Sequence, residues 1–292
     1  MIFSTIASIL APVFICVGIG FFWVRRGQSY DTKLITALVT YIGTPCLLFS
    51  SLSSVHLRPH TLLNIGLAAI LANLAFIMIG ALILAIFKLP QRVFLQTLSF
   101  PNVGTVGLPL CYLAFNEEGL ALGVTFFAIY IVFQMTIGAA FVSGRFSLGS
   151  LIKMPIIPAT ILAAFFLFSG VHVPEWLKNT TALIGDFTIP LMLFTLGVSL
   201  SRLRVRQLKL PVLLSILRLG MGFGVGVALA SLMKLDGTAA GVVVLQCSMP
   251  AAIFCYLFAQ VYNQQPEEVA GVVIVSTTLC FSFLPVILWY VL

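Results

Sequence analysis

Apolar residues in this chain come in long runs separated by short polar or charged gaps. A helix needs roughly 20 apolar residues to cross a bilayer. Ten runs meet that length: 3–24, 33–54, 61–87, 93–115, 119–142, 155–172, 177–200, 209–233, 238–262 and 268–291. The predicted fold class is therefore an all-α polytopic membrane protein of ten transmembrane helices joined by short loops. The first run reads as a retained span and not as a cleaved signal, because Arg25 and Arg26 follow it and no basic leader precedes it.

One run is interrupted in its middle. "SFPNVGTVGLPL" (Ser99–Leu110) holds two prolines, two glycines and an asparagine. Pro101 and Pro109 each remove a backbone donor, and Gly104 and Gly107 permit geometries that other residues avoid. Free backbone groups in lipid cost several kcal/mol each, so this segment must be buried in protein or line a wet cavity.

The second half of the chain repeats the landmarks of the first. Pro12 and Pro158 lie 146 apart, "TPCLLF" from Thr44 matches "IPLMLF" from Ile189 at 145, and "SFPN" from Ser99 matches "SMPA" from Ser248 at 149. The glutamate pairs 117–118 and 267–268 lie 150 apart. The near-constant offset predicts two five-helix repeats, 1–150 and 151–292. An odd number of spans makes the second repeat inverted, a common plan of secondary transporters. It also pairs the break at Pro101 with one at Pro250. Matched interruptions of this kind are the best sequence pointer to a transporter's binding site. Opposed half-helix N-termini there would favour an anion. The expected substrate contacts are Ser99, Pro101, Asn102, Gln246, Ser248, Pro250 and Ala251, with Tyr130 and Gln134 on one face of span 5 and Ser276 on span 10.

Composition narrows the function classes. The chain of 292 residues is 61% hydrophobic and 8% charged, against about 25% charged in soluble domains. The net charge of +7 does not point to nucleic acid, because the basic residues sit in short loops. Eleven of them (Arg25, Arg26, Lys33, Lys88, Arg92, Arg145, Lys153, Arg202, Arg204, Arg206 and Lys209) fall on one side of the predicted topology, and Arg58, Lys178 and Lys234 on the other. The richer side is cytoplasmic by the positive-inside rule, which puts both termini outside. The six cysteines lie in apolar runs without CxxC or Cys/His metal spacing, so neither metal nor cofactor is expected. His56, His60 and His172 read as solvated loop residues, and the glutamate pairs as complements to helix N-termini.

Charges inside spans are functional candidates by default. Arg218 lies about ten residues into span 8, and Asp186 about a third of the way through span 7. A structural ion pair or a snorkelling arginine is the plain alternative. If Asp186 lines a pathway, loss of water favours its neutral form and makes it a candidate proton carrier. Asn73, Thr277 and Thr278 are further polar candidates, with polar contact between helices as the plain alternative.

"FPNVGTVGLPL" resembles the first crossover of the auxin efflux carrier family, which includes the plant PIN-formed carriers and bacterial malate and malonate carriers. "SMPAAIFCYLFAQVYNQQPEEVAGVVIVSTT" (Ser248–Thr278) is similar to the second crossover and the turn after it, with Tyr262, Asn263 and Pro266. "GDFTIPLMLFTLGVSL" (Gly185–Leu200) resembles the family's seventh span, and "RLGMGFG" (Arg218–Gly224) its eighth, without the proline common there. The resemblance covers nearly the whole chain. It implies a fold like that of the bile acid symporters, in which spans 1, 2, 6 and 7 form a scaffold that dimerises. Spans 3–5 and 8–10 then form a transport domain that moves as an elevator.

The expected function is secondary transport of a small organic anion such as a carboxylate, in a bacterial inner membrane. The expected partners are this anion, the lipid bilayer and a second copy of the chain. A proton gradient or the membrane potential would drive it, with sodium as an open alternative. A channel or uniporter for organic anions, or a sodium-coupled symporter, are the rival readings. The chain carries no HExxH, GxSxG or ATP-binding loop, so an enzyme is not expected.

Overall fold

The computed structural model describes residues 2–54, 59–144, 155–169, 171, 173–202 and 208–292. His56, Arg58, Arg145, Lys153, His172, Arg204 and Arg206 lie outside the described residues. The described residues are helical, with no strand among them. In chain order the helices are α1 (Ile2–Arg25), α2 (Thr32–Leu38), α3 (Thr44–Ser54), α4 (Pro59–Ile86), α5 (Gln91–Ser99), α6 (Leu108–Phe133) and α7 (Ala139–Ser143). They continue as α8 (Ile156–Ser169), α9 (Glu175–Arg202), α10 (Lys209–Leu232), α11 (Gly237–Cys247), α12 (Ile253–Val261) and α13 (Pro266–Val291). Wide turns of i→i+5 type at Val39–Gly43, Val103–Gly107 and Gln134–Gly138 join or extend neighbouring helices.

Seven helical stretches among the described residues are long and apolar enough to cross a membrane, fewer than the ten runs read from the sequence. The difference has physical causes. Span 4 is split between α5 and the segment after it, and span 9 between α11 and α12, so neither half reaches membrane length. Helix α8 has 14 residues. The 41-residue stretch Val103–Ser143 counts once but reverses direction at Asn116 (φ 54°, ψ −148°). A Cβ on Gly123 would lie 3.1 Å from the Cys111 Sγ. In one straight helix these residues would stand about 18 Å apart.

Two helix C-termini share one cap. Lys88 (φ 53°) and Lys234 (φ 50°) are both left-handed, and in each case the next residue reaches back over the last turn. Leu89 N–H donates to the Leu84 carbonyl and Leu235 N–H to the Ala230 carbonyl, both at 2.9 Å. This is the pattern by which a left-handed residue closes a helix, usually with glycine. Asn116 (φ 54°) and Gln265 (φ 44°) also have positive φ, each just before a glutamate pair.

The helices pack in two groups. Helix α1 runs against α9, and α3 lies against both α8 and α9. Helix α4 lies against α5, α6 and α10, while α10 packs on α11 and α13. The α1–α9 contact is close because glycines face backbone from both sides. A Cβ on Gly20 would come 2.9 Å from the Phe194 carbonyl carbon, and one on Gly197 would come 2.8 Å from the Phe21 nitrogen. Small residues of this kind let membrane helices approach where no hydrophobic drive exists between them.

Gly197→Val should therefore cost about 1–3 kcal/mol of stability, because the new atoms meet main chain that cannot rotate away. Gly18→Ala, with no atom within 4 Å of the added carbon, should be silent. Melting midpoints of the purified variants in detergent check both.

Candidate functional site

Helix α5 is buried from Val93 to Ser99 and then stops. Phe100 is extended (φ −115°, ψ 99°), and Asn102 (φ −80°, ψ 61°) starts the next helical segment. Helix α11 stops at Cys247, and Ala252 (φ −66°, ψ 142°) leads into α12. The two breaks lie side by side. Pro101 and Ala251 form an antiparallel bridge. Asn102 N–H donates to the Pro250 carbonyl at 2.7 Å, and Ala252 N–H to the Phe100 carbonyl at 3.0 Å.

This pairing occupies the backbone of the breaks. The donors of the breaks themselves are not available to a ligand. Phe100 N–H bonds to the Gln96 carbonyl, Val103 N–H to that of Pro101, Ser248 N–H to that of Val244 and Met249 N–H to that of Gln246. Ala251 N–H donates to the Ser276 Oγ at 3.1 Å. Asn102 Oδ1 accepts from Thr105 N–H at 3.2 Å and so caps the helical segment that follows. The N-terminus of α12 has no side-chain cap. Beyond the breaks, the first turns begin at the half-buried Gly104, Ile253 and Phe254.

Arg218 on α10 is fully buried. Its Nη1 donates to the Leu98 carbonyl at 2.9 Å and its Nη2 to the Cys247 carbonyl at 2.8 Å. The guanidinium carbon sits 4.4 Å from the centre of the Phe76 ring on α4. Leu98 is the next-to-last residue of α5 and Cys247 the last of α11. One cation thus holds the C-terminal ends of both half-helices. Each such end carries roughly half a negative charge, so the two together offset most of the arginine's charge.

Around the breaks the interior is unusually polar. Among the described residues, Asn102 Nδ2, Tyr130 OH, Gln134 Nε2 and Arg218 Nε are buried donors or hydroxyls without a partner, and Gln96 Oε1 and Gln246 Oε1 are buried acceptors without one. Buried polar groups are normally satisfied by protein or by water. The Tyr130 ring packs edge-on against Phe100, centroids 5.8 Å apart. Gln96 donates from Nε2 to the Gly138 carbonyl, and Gln246 Nε2 to the Gly123 carbonyl at 3.3 Å.

The other expected residues divide. Pro101, Pro250 and Ala251 form the pairing itself. Ser99 donates to the Phe76 carbonyl at 3.4 Å and Ser248 to its own helix at Val244, 2.7 Å away, so both hydroxyls serve the scaffolding of the breaks. Asp186 is not brought to the breaks. It lies exposed on α9 beside Leu183 and Phe187, while Gly185 and Thr188 face inward. The partners of Arg218 are carbonyls and a ring, so an Asp186–Arg218 ion pair is not formed. Gln96 and Phe76 were not among the expected contacts. The "LQ" of Leu95–Gln96 recurs at Leu245–Gln246, 150 residues on, and would have pointed to Gln96.

Comparison with known proteins decides the class. A family model described as "Membrane transport protein" matches residues 5–146 and 140–290. The chain belongs to this family, that of the auxin efflux carriers. It is 25% identical over 305 aligned residues to an uncharacterized transporter of Methanocaldococcus jannaschii, covering 97% of each chain. It is 27% identical over 124 residues to auxin efflux carrier component 8 of Arabidopsis thaliana, covering 39% of this chain and 34% of that one. As a member of a membrane transport family with apolar helices of membrane length, it is an integral multi-pass membrane protein.

Asn102→Ala removes the cap on the segment after the first break. It should lower stability by about 1 kcal/mol, the usual worth of such a cap. Asn102→Asp keeps the capping oxygen and should lose less, which thermal unfolding of the two variants side by side checks.

Proposed function

We propose that the protein is a secondary carrier that moves a small carboxylate across the membrane, binding it beside the paired breaks. The observation that carries this reading is the seat of Arg218. Where two broken helices meet, C-terminal ends attract cations and N-terminal ends attract anions. Arg218 takes up the first kind of end through Leu98 and Cys247. The N-terminal first turns at Gly104 and Ile253 are left with roughly one positive charge between them and no acidic side chain to meet it. The unpartnered donors on Asn102, Tyr130 and Gln134 add hydrogen bonds for carboxylate oxygens.

The architecture proposed with it has ten spans in two inverted repeats, with substrate at the crossing of spans 4 and 9. The matched caps at Lys88 and Lys234, 146 apart, and the positive-φ residues before both glutamate pairs support the repeat. Helices α1–α3, α8 and α9 would be the scaffold and the dimer-forming part, and α4–α7 with α10–α13 the transport domain that shifts as an elevator. Both termini would face outside. The driving force would be the membrane potential or a proton gradient.

Uptake into liposomes, with a panel of carboxylates and with sodium, proton and electrical gradients imposed one at a time, tests the reading. Saturable uptake of at least one carboxylate is expected. Uptake that never saturates would make the protein a channel, and no carboxylate uptake at all would end the proposal. Asn102→Asp places a negative charge beside the bound anion and should raise KM roughly tenfold, about 1.4 kcal/mol.

Asp186 is the one acidic residue in the body of a predicted span, and we propose it as the proton carrier on that ground. Asp186→Asn should flatten the pH dependence of uptake without changing KM. An unchanged pH profile would reduce Asp186 to a surface residue of α9.

A further inference from the structure

We infer that Arg218 is a tethered cation: its guanidinium stands where a carrier with broken, paired helices would otherwise bind a free coupling cation, and it makes substrate binding independent of sodium. The inference rests on the carrier reading and goes further by naming what balances the site. Half-helix C-terminal ends and exposed carbonyls are the places where such carriers hold a coupling ion. In this chain the carbonyl oxygens of Leu98 and Cys247, one from each half-helix end, both accept from Arg218 at 2.8–2.9 Å.

Three further observations bear on it. The side chain is fully buried, so it is not a surface arginine reaching for water. Its guanidinium also lies over the Phe76 ring face, which prefers a cation. The surroundings fit a planar cation closely, since a Cβ on Gly222, one turn along α10, would lie 3.4 Å from Arg218 Nη2 and would press on the Cys247 carbonyl. A buried charge set only against carbonyls and a ring is costly unless those groups supply the counter-charge, and two helix C-termini do supply it. A covalently held cation cannot leave. The half-helix ends therefore stay together throughout the cycle, and no ion has to arrive before the substrate.

The test separates charge from bulk. In Arg218→Ala, purified in detergent with choline as the only added cation, the melting midpoint should fall below that of the wild type. Ethylguanidinium at millimolar concentration should restore it by about 5 °C. Ethylurea, a neutral molecule of nearly the same shape, should not. Equal rescue by both compounds, or by neither, would overturn the inference.

If Arg218→Ala yields no folded protein, Arg218→Lys and Arg218→Met keep the question open to test. Lysine should preserve a folded, monodisperse protein better than the uncharged methionine, and methionine performing as well as lysine would overturn the inference. In liposomes, wild-type carboxylate uptake should be unchanged when choline replaces sodium, and a several-fold loss would overturn it. Absence of any carboxylate uptake would instead remove the carrier reading, while the melting experiment still reports on Arg218.

Discussion

A backbone that breaks inside an apolar medium has to satisfy its own polar groups, and the structure of this chain is organised around how it does so. Pro101 and Pro250 have no N–H to give, and the residues beside them cannot continue a helical ladder. Either break alone would leave carbonyls and amides in a medium where each costs several kcal/mol. Set antiparallel, they supply each other. Asn102 and Ala252 donate across the gap, and Arg218 collects the carbonyls that a helix end leaves over. What remains unsatisfied is confined to a few side chains and to the first turns beyond the breaks. The proposed binding site lies where the backbone's own pairing ends.

The sequence made the breaks legible because proline and glycine act through local geometry. Two prolines at matched places in two halves say where the ladder stops, whatever surrounds them. The membrane class was equally plain, since apolar runs of span length leave little else to be. The direction in which charge is used was less accessible. A sequence places Arg218 at a depth in span 8 but not in a rotamer, and the two carbonyls it meets come from residues 120 and 29 positions away. Carbonyls carry no sequence signal at all, so an arginine bound to backbone looks the same in one dimension as an arginine awaiting an acid.

Asp186 shows the converse. Its position in a span made it a candidate, but which face of a helix a residue takes depends on its neighbours' size. Gly185 and Thr188 are the small residues on which α9 packs, a Cβ on Gly185 lying 3.0 Å from the Leu47 Cα. That choice turns Asp186 outward. Gln96 was missed for a similar reason. It stands on the short half-helix ahead of the break, where its carboxamide donates to the Gly138 carbonyl and its oxygen is buried without a partner among the described residues.

The same bonds constrain how the site could move. Opening the site by bending at the breaks would strip the two backbone bonds between Asn102, Pro250, Ala252 and Phe100, and pull Arg218 from at least one carbonyl. Each lost partner in a buried setting costs about 1–3 kcal/mol, more for the charged one. Helices α5, α6, α11 and α12, with α10 through Arg218 and α4 through Phe76, are therefore tied into one unit. Between that unit and α1, α3 and α9 the contacts are chiefly packing, where sliding exchanges one apolar neighbour for another. Under the proposed carrier reading, displacement of the whole tied unit would cost less than hinging within it. On this argument the tethered cation does two jobs with one group: it balances the helix ends, and it keeps the crossing rigid enough to be carried.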